Sequence, residues 1–579
     1  MFQTCKITNQ KFEVTDSDLE FLKKISPTFD GKFFQIPPPT ICPEERIRRR
    51  TGHRNENVYH HNKSALSGKP LISIYRSDSE YKIYSQEEFF SDKWDALSYG
   101  QDFNFNKNFF EQFEHLNKKV PKVAMINMKC ENCDYTCGTG MCKNCYLINS
   151  SEYCEDCYYG KLIQSSKNCI DCAFIYDSEL MYECFNVRNG YNCKFVYYSQ
   201  NIIDCWFCDD CKNCQNCFLC TNLVGKKYHF FNQQLSKEEY ENRVKEFVGS
   251  YQNFTVAKKM FDDLRLKRIY KYATIINCEN CTGDFINNCK NCIDCYEMND
   301  SEDSKYIQVG VKIKDCLDCS NMYIKPELSY EVMGTLETYN IHFCTYVFYS
   351  SNMWYCSNCF NSKNCFGCSG LQHKEYCIFN KQYTKEEYEK LVAKIIESMQ
   401  SPHPPLSRGR STSPLDKGDL GDLDLQPEWG EFFPISMSPF PYNDSVAYDY
   451  CPLTKEETLA KKYVWKDPDA SYQHQGVEYI IPDNINDVKD DIKEAILKCE
   501  STNKLYKIIP HELKFYREQK IPIPRKCPQE RYRLRLLNRN PFVLYDRNCL
   551  KCGSNIKTTY APERLEIIYC EKCYLEKVY

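Results

Sequence analysis

Cys130 to Cys157 reads CENCDYTCGTGMCKNCYLINSSEYCEDC, and within it cysteine returns on a twelve-residue beat. Along the chain the beat falls on Cys133, Cys145, Cys157, Cys169, Cys193, Cys205 and Cys217, broken only at Met181. The residue before each of these cysteines is Asn or Asp, from Asn132 through Asn216. Such regularity points to a repeat architecture. Two arrangements compete. In tandem zinc knuckles, sets such as Cys130, Cys133, Cys142 and Cys145, or Cys154, Cys157, Cys169 and Cys172, would each share a metal. In a parallel β-solenoid, cysteine is a small apolar core residue stacked coil on coil beside an Asn/Asp turn ladder.

The flanking positions decide between them. Three residues before the beat stand Cys130, Cys142, Cys154, Ser166, Ser178, Gly190, Ile202 and Cys214; three after stand Thr136, Ile148, Gly160, Cys172, Cys184, Val196, Cys208 and Cys220. Ligands of a closed site do not alternate with Ile, Val and Gly, whereas packed inward positions can. The solenoid is favoured, with coils of about 24 residues expected, because twelve leave little room for interior aromatic rings. Cys205 to Cys220, and Cys289, Cys292 and Cys295, recur every third residue, without the wider gap and proline of a bacterial ferredoxin motif.

This region is doubled. A shift of 148 pairs Asn216, Cys217, Phe218 and Cys220 with Asn364, Cys365, Phe366 and Cys368, and Lys237-Glu238-Glu239-Tyr240 with Lys385-Glu386-Glu387-Tyr388. Each half ends on Ser236 or Thr384 followed by Glu three residues on, a capping box opening a helix that covers the repeat end.

The chain ends are also copies. A shift of 494 pairs Cys5 with Cys499 and Thr8 with Thr502; a shift of 485 pairs Cys42 with Cys527, Glu45 with Glu530, and Arg46, Arg48, Arg50 and Arg54 with Arg531, Arg533, Arg535 and Arg539. At the C-terminus Cys549 and Cys552, then Cys570 and Cys573, have the spacing of a zinc ribbon and form the main expected metal site. The N-terminal equivalents, Ser64, Ser67, Ser85 and Glu88, cannot make that thiolate cage. Cys5 with Cys42, and Cys499 with Cys527, are weaker candidates with Glu45 or Glu530 assisting. These elements resemble a small bacterial zinc-ribbon family with a CxxC knuckle, a helical Phe/Tyr segment, CPxC and trailing arginines. Arg525, Lys526, Arg531, Arg533, Arg535 and Arg539 are candidate phosphate contacts; the competing reading pairs them with nearby acids.

The 579 residues include 39 Cys, 45 Tyr and 34 Phe and carry a formal charge of −4, which excludes a globally basic nucleic-acid coat. No signal core and no run of eighteen apolar residues are found, so a cytoplasmic chain with reduced thiols and no membrane span is expected. The expected divisions are a degenerate ribbon module (1–100), a connecting helix capping the open repeat end (101–128), repeat half 1 with its helix (129–248), a helical connector (249–277), repeat half 2 (278–399), a disordered insert (400–427), an accessory segment with a helical run DVKDDIKEAILK (428–498) and the C-terminal ribbon module (499–579). The fold class is thus mainly β, a Cys-rich parallel solenoid in two halves flanked by small α+β ribbon modules.

This plan, ending in Tyr569-Cys570-Glu571-Lys572-Cys573-Tyr574, resembles an uncharacterised Cys-rich repeat family of small-genome uncultured bacteria. Some members carry a CaiB/BaiF-type CoA-transferase label; the alternating βα periodicity and Gly-rich site which that label implies have no counterpart here. No GxSxG elbow, phosphate loop or HExxH motif occurs. The reading is a non-catalytic zinc-binding scaffold presenting a rigid surface to a protein or glycan, with RNA or ribosome association and metal storage or thiol redox work as alternatives.

Overall fold

The structure is a computed structural model that describes residues 1–401, 427–467 and 479–579. The expected insert at 400–427 lies almost wholly outside the described residues. The fold is mainly β, dominated by two long parallel ladders.

In the first ladder, residues twelve apart are partners throughout: Tyr146 with Tyr158, Lys167 with Glu179, Phe185 with Tyr197, Gln200 with Lys212 and Cys217 with His229. The second repeats this with Tyr296 and Gln308, Tyr339 and Ser351, and Lys363 and Glu375. It slips to eleven at Ile275 and Ile286 and to thirteen at Lys314 and Glu327. Each ladder closes on a short antiparallel pair, His229 with Gln234 and Cys377 with Gln382, before its capped helix, Lys237–Lys245 or Lys385–Gln400.

The chain turns this tightly because nearly every third ladder residue has left-handed φ, from Asn132 at 51° and Asn144 at 53° to Asn213 at 55° and Asn364 at 53°. Asn and Asp tolerate that conformation better than other side chains, which explains the residue preceding each beat cysteine. Their amides also run along the ladder. Asn189 donates to Asn201 and Asn201 to Asn213, each at 2.9 Å, and Asn340 donates to Asn352 at 2.8 Å and Asn352 to Asn364 at 3.0 Å.

The residue after each left-handed position points inward. The apolar part of the first ladder's interior is Cys, Ile, Val and Met with Leu223 at its end, serines such as Ser151, Ser166 and Ser178 take inward slots among them, and the second ladder adds Leu371 and packs Ala96 against its own. The ladder step is therefore twelve residues and not the expected 24. The premise about space was sound, but the aromatic rings it tried to house are outside. Phe195, Phe207 and Trp206 pack under Phe254 of helix Tyr251–Lys267. In the second ladder Tyr355, Phe366 and Phe379 pack on Phe109 of helix Phe109–Lys119. That helix was expected to cap an open repeat end; its aromatic stripe lies instead along the side of the last rungs.

The chain forms two compact units. One joins residues 1–125 to 273–466 and 541–544, and the other joins 126–272 to 467–540 and 545–579. Each terminal module thus belongs with the repeat half farther from it in sequence. The accessory segment contributes to both, with Trp429, Phe432 and Phe433 in the core of the first. The expected helix DVKDDIKEAILK is a single 3-10 turn, Asp490–Lys493, followed by a short strand at Leu497–Lys498. Its apolar side chains Val488, Ile492 and Leu497 are buried.

Candidate metal centre

The C-terminal knuckles are shaped by backbone. Strands Tyr545–Asn548 and Asn555–Thr558 pair antiparallel and hold a turn in which the Cys549 N–H donates to the Ser554 carbonyl and the Gly553 N–H to the Cys549 carbonyl, both at 2.8 Å. Gly553 sits at φ +75°, a conformation that glycine adopts without strain. Strand Ile567–Tyr569 delivers Cys570 to the N-cap of helix Glu571–Val578, placing Cys573 in its first turn. The Leu550 N–H donates to Ile568 at 3.0 Å and ties the two knuckles together.

All four Sγ atoms, of Cys549, Cys552, Cys570 and Cys573, lie within 4.8 Å of one another, and Cys552 and Cys570 are 3.7 Å apart. A tetrahedral ion with metal–sulfur bonds of about 2.3 Å needs sulfurs about 3.8 Å apart. The cluster can hold a metal ion. Two of the thiols are shifted towards ionisation. The Ser554 hydroxyl and N–H bring Cys552 down to about 6. Burial opposes ionisation of Cys549, but the N–H groups of Cys570, Cys552 and Lys551 outweigh it and lower its pKa. Burial and the neighbouring sulfurs of Cys552, Cys570 and Cys549 push Cys573 up to about 12.

The N-terminal copy has the same turn without the cysteines. Ser64 N–H donates to Lys69 O and Gly68 N–H to Ser64 O, both at 2.9 Å, with Gly68 at φ +74°. Ser85 caps helix Gln86–Phe89 where Cys570 caps its counterpart. The Glu88 carboxylate accepts from Ser64 Oγ at 2.5 Å and from the Ser85 N–H at 3.0 Å. Burial pushes against it, yet the hydroxyls of Ser64, Ser67 and Ser85 hold Glu88 down at about 2. Hydrogen bonds close the motif that thiolates close at the other end.

The weaker candidates sit differently. Cys5 and Cys42 share a small buried cluster with Phe12, Val14 and Ile41, and Thr8 Oγ1 is 3.9 Å from Cys42 Sγ. Glu45 is paired with Arg48 and, at 3.4 Å, with Lys461. Thr502 Oγ1 is 3.7 Å from Cys527 Sγ, Cys499 is 3.5 Å from Ser501 Oγ, and Glu530 binds Arg533 through both oxygens at 2.8 and 2.9 Å. Among the described residues, only the C-terminal four bring three or more ligand atoms this close together.

The ladder cysteines are bonded to backbone and, apart from Cys130, Cys133, Cys278 and Cys281 at the starts of the two ladders, are buried. Cys157 Sγ donates to Glu155 O at 3.4 Å and Ser166 O at 3.5 Å; Cys356 Sγ does the same to Trp354 O at 3.3 Å and Cys365 O at 3.6 Å. Serine takes the same slot, as where Ser166 Oγ donates to Gln164 O at 2.7 Å and accepts from Ser178 N–H at 3.1 Å. Burial pushes Cys208 and Cys359 well up, away from the nucleophilic form, whereas at Cys157 and Cys365 hydrogen bonds from neighbouring thiols outweigh burial and lower the pKa.

The arginines fall into three groups. Arg531 reaches Asp171 at 2.6 Å and Glu512 at 3.2 Å, all buried, and the buried Arg535 reaches Asp171 at 3.0 Å and the partly buried Glu183 at 3.2 Å. Arg533 is half exposed on Glu530, and Lys526 pairs with Glu500 at 2.7 Å. Arg525 stacks on Tyr251, with 4.1 Å to the ring centroid, and Arg539 follows the helix end with its N–H on Leu536. The first group recurs in the other unit, where Arg46 binds Asp318 at 2.8 Å and Arg50 binds Glu331 at 2.9 Å. The acids that receive these helices were missed from sequence, although Asp171 and Asp318 precede the equivalent Cys172 and Cys319.

No family model matches the sequence, and no curated protein does. Among solved structures, a chain described as a "putative acetyltransferase" from Desulfovibrio desulfuricans G20 aligns at 9% identity with a TM-score of 0.13, over 44% of this chain and 66% of that one. A likeness at that score carries no argument about fold or activity.

Proposed function

We propose that the protein is a non-catalytic interaction scaffold: two rigid parallel β-solenoids with twelve-residue coils, carrying one structural zinc ion at the C-terminal ribbon and presenting their outer faces to a protein or glycan partner. The single observation that carries this reading is the chemistry of the two cysteine populations. One set of four thiols converges with no position left for substrate, as in a closed structural site. The ladder thiols that face the interior are spent on packing and on backbone carbonyls. Four sulfur ligands in a cluster of this size suit zinc, which has no geometric preference beyond the tetrahedral.

Cytoplasmic residence belongs to the same proposal, since reduced thiols need a reducing compartment; among the described residues no helix is long and apolar enough to cross a membrane. RNA association is the less favoured reading, because Arg531 and Arg535 are buried against carboxylates. Elemental analysis of protein purified without added metal tests the proposal. Close to one zinc per chain supports it, and several zinc ions or any iron turn the reading towards storage or redox chemistry.

A further inference from the structure

A small cavity of about 20 Å³ lies within the first unit, walled by His53, Tyr75, Lys122, Thr345, Ser357 and Asn358 among others. That is room for one small particle, since a water needs roughly 10–15 Å³. Three features of its wall point to the charge of the occupant.

The first is a buried amine with no acid beside it. Lys122 is 1% exposed, and its Nζ donates to Asn117 Oδ1 and, at 2.8 Å, to Ser369 Oγ. No carboxylate lines the cavity, and none pairs with Lys122 among the described residues. An ammonium buried without a counter-charge is strongly disfavoured. Burial alone accordingly drives the group down to about 7.

The second is a column of hydroxyls. Thr345, Ser357 and Ser369 stand twelve apart on successive rungs of the ladder. Thr345 Oγ1 and Asn358 Nδ2 both donate to Ser357 Oγ, at 2.9 and 3.1 Å, and Ser369 Oγ donates to Asn117 Oδ1 at 2.9 Å.

The third is the resulting balance. Once these bonds are made, the third Lys122 N–H, the Ser357 O–H, the Asn117 amide N–H groups and the second Asn358 N–H have no acceptor among the described residues. His53 adds no positive charge, because burial holds it at about 4 and its Nε2 is spent on Pro434 O at 3.1 Å. The wall is rich in donors, and Lys122 has no carboxylate beside it, only the hydrogen bonds to Asn117 and Ser369 and the Tyr81 ring at 5.8 Å.

We propose that this cavity binds one small monovalent inorganic anion of chloride size, held by Lys122, Ser357, Asn117 and Asn358. The ion would fasten the segment carrying Lys122 to the rungs carrying Ser357 and Ser369. The site is independent of the metal centre and of the scaffold reading.

Sodium bromide is the probe, used on the full chain. In crystals soaked with it, an anomalous bromide peak is expected within hydrogen-bonding reach of Lys122 Nζ. In solution at fixed ionic strength, the unfolding midpoint is expected to climb with the logarithm of bromide concentration in the wild type, and to stay flat in Lys122→Met. Ser357→Ala keeps the charge and removes one donor, so about tenfold weaker bromide dependence is expected. An empty cavity, with bromide only at adventitious surface positions, would overturn the proposal. So would an equal bromide response in wild type and Lys122→Met. If Lys122→Met fails to fold, an unchanged bromide response in Ser357→Ala overturns it.

Discussion

The two terminal modules put one backbone motif to two chemical ends. Both have the hairpin turn with a left-handed glycine, Gly68 or Gly553, and both have a helix whose N-cap is Ser85 or its counterpart Cys570. In the C-terminal copy four sulfurs converge within 4.8 Å. In the N-terminal copy the corresponding side chains are three hydroxyls and a carboxylate, joined by direct hydrogen bonds. The comparison teaches that the knuckle backbone does not itself require a metal. It requires something that satisfies the buried ends of two turns, and short neutral-to-anionic hydrogen bonds can do so. A four-thiol cluster has no such internal solution, because thiols are weak donors and weak acceptors.

The sharpest way to break this comparison is to remove metal. A strong chelator, or Cys573→Ser, is expected to unfold residues 545–579 locally, with a loss of folding free energy on the order of 10 kcal/mol. Hydrogen exchange should show that segment losing protection while residues 60–90 keep theirs. Equal loss at both ends, or at neither, would dissolve the distinction.

Next in size is the arginine clamp that both modules share. Asp171→Asn leaves Arg531 and Arg535 facing a neutral amide in a buried site, and about 3–5 kcal/mol of destabilisation is expected. Asp318→Asn should cost a similar amount through Arg46 and Arg50. Chemical denaturation of the two variants measures both, and a surface-like loss under about 1 kcal/mol in either would contradict the burial.

Smaller effects belong to the hydrogen-bonded copy alone. Ser64→Ala is expected to cost about 1–2 kcal/mol. Glu88 carries a pH signature. Its folded pKa, near 2, lies below the ordinary carboxylate value of 4.5, so its contribution is fully present above 4.5 and is lost as pH falls from there towards 2. Glu88→Gln should flatten that part of the acid-unfolding curve. Smallest is the expected effect of Cys208→Ser in a ladder whose inward slots already alternate Cys with Ser: about 1 kcal/mol, seen as a slightly lower unfolding midpoint. In metal-free protein, Cys552, exposed in the C-terminal module, should react with an alkylating reagent well before the buried Cys208.

Much of this was legible in the sequence. The twelve-residue beat is the ladder step itself, and the Asn/Asp before each cysteine marks a left-handed corner such as Asn144 or Asn216. The substitutions Ile202 and Val196 marked inward packing positions, as their place in the first ladder's interior bears out. The coil length was misjudged because composition says how many aromatics there are but not on which side of a thin coil they stand. Phe207 and Tyr355 occupy left-handed positions, where periodicity alone gives no direction. The association of each terminal module with the farther repeat half was also hidden. It depends on Asp171 and Asp318 meeting helices hundreds of residues away, and no local pattern records that distance. The C-terminal cluster was the easiest to read, since two CxxC pairs leave little else for their spacing to mean.

The most direct test is the metal content of the full chain, purified without added metal and set beside that of Cys549→Ser/Cys570→Ser. The account predicts close to one zinc per wild-type chain and none in the double variant, with the ladder thiols still titrating as free thiols after denaturation. Metal retained by the double variant, or no metal in the wild type, would contradict it.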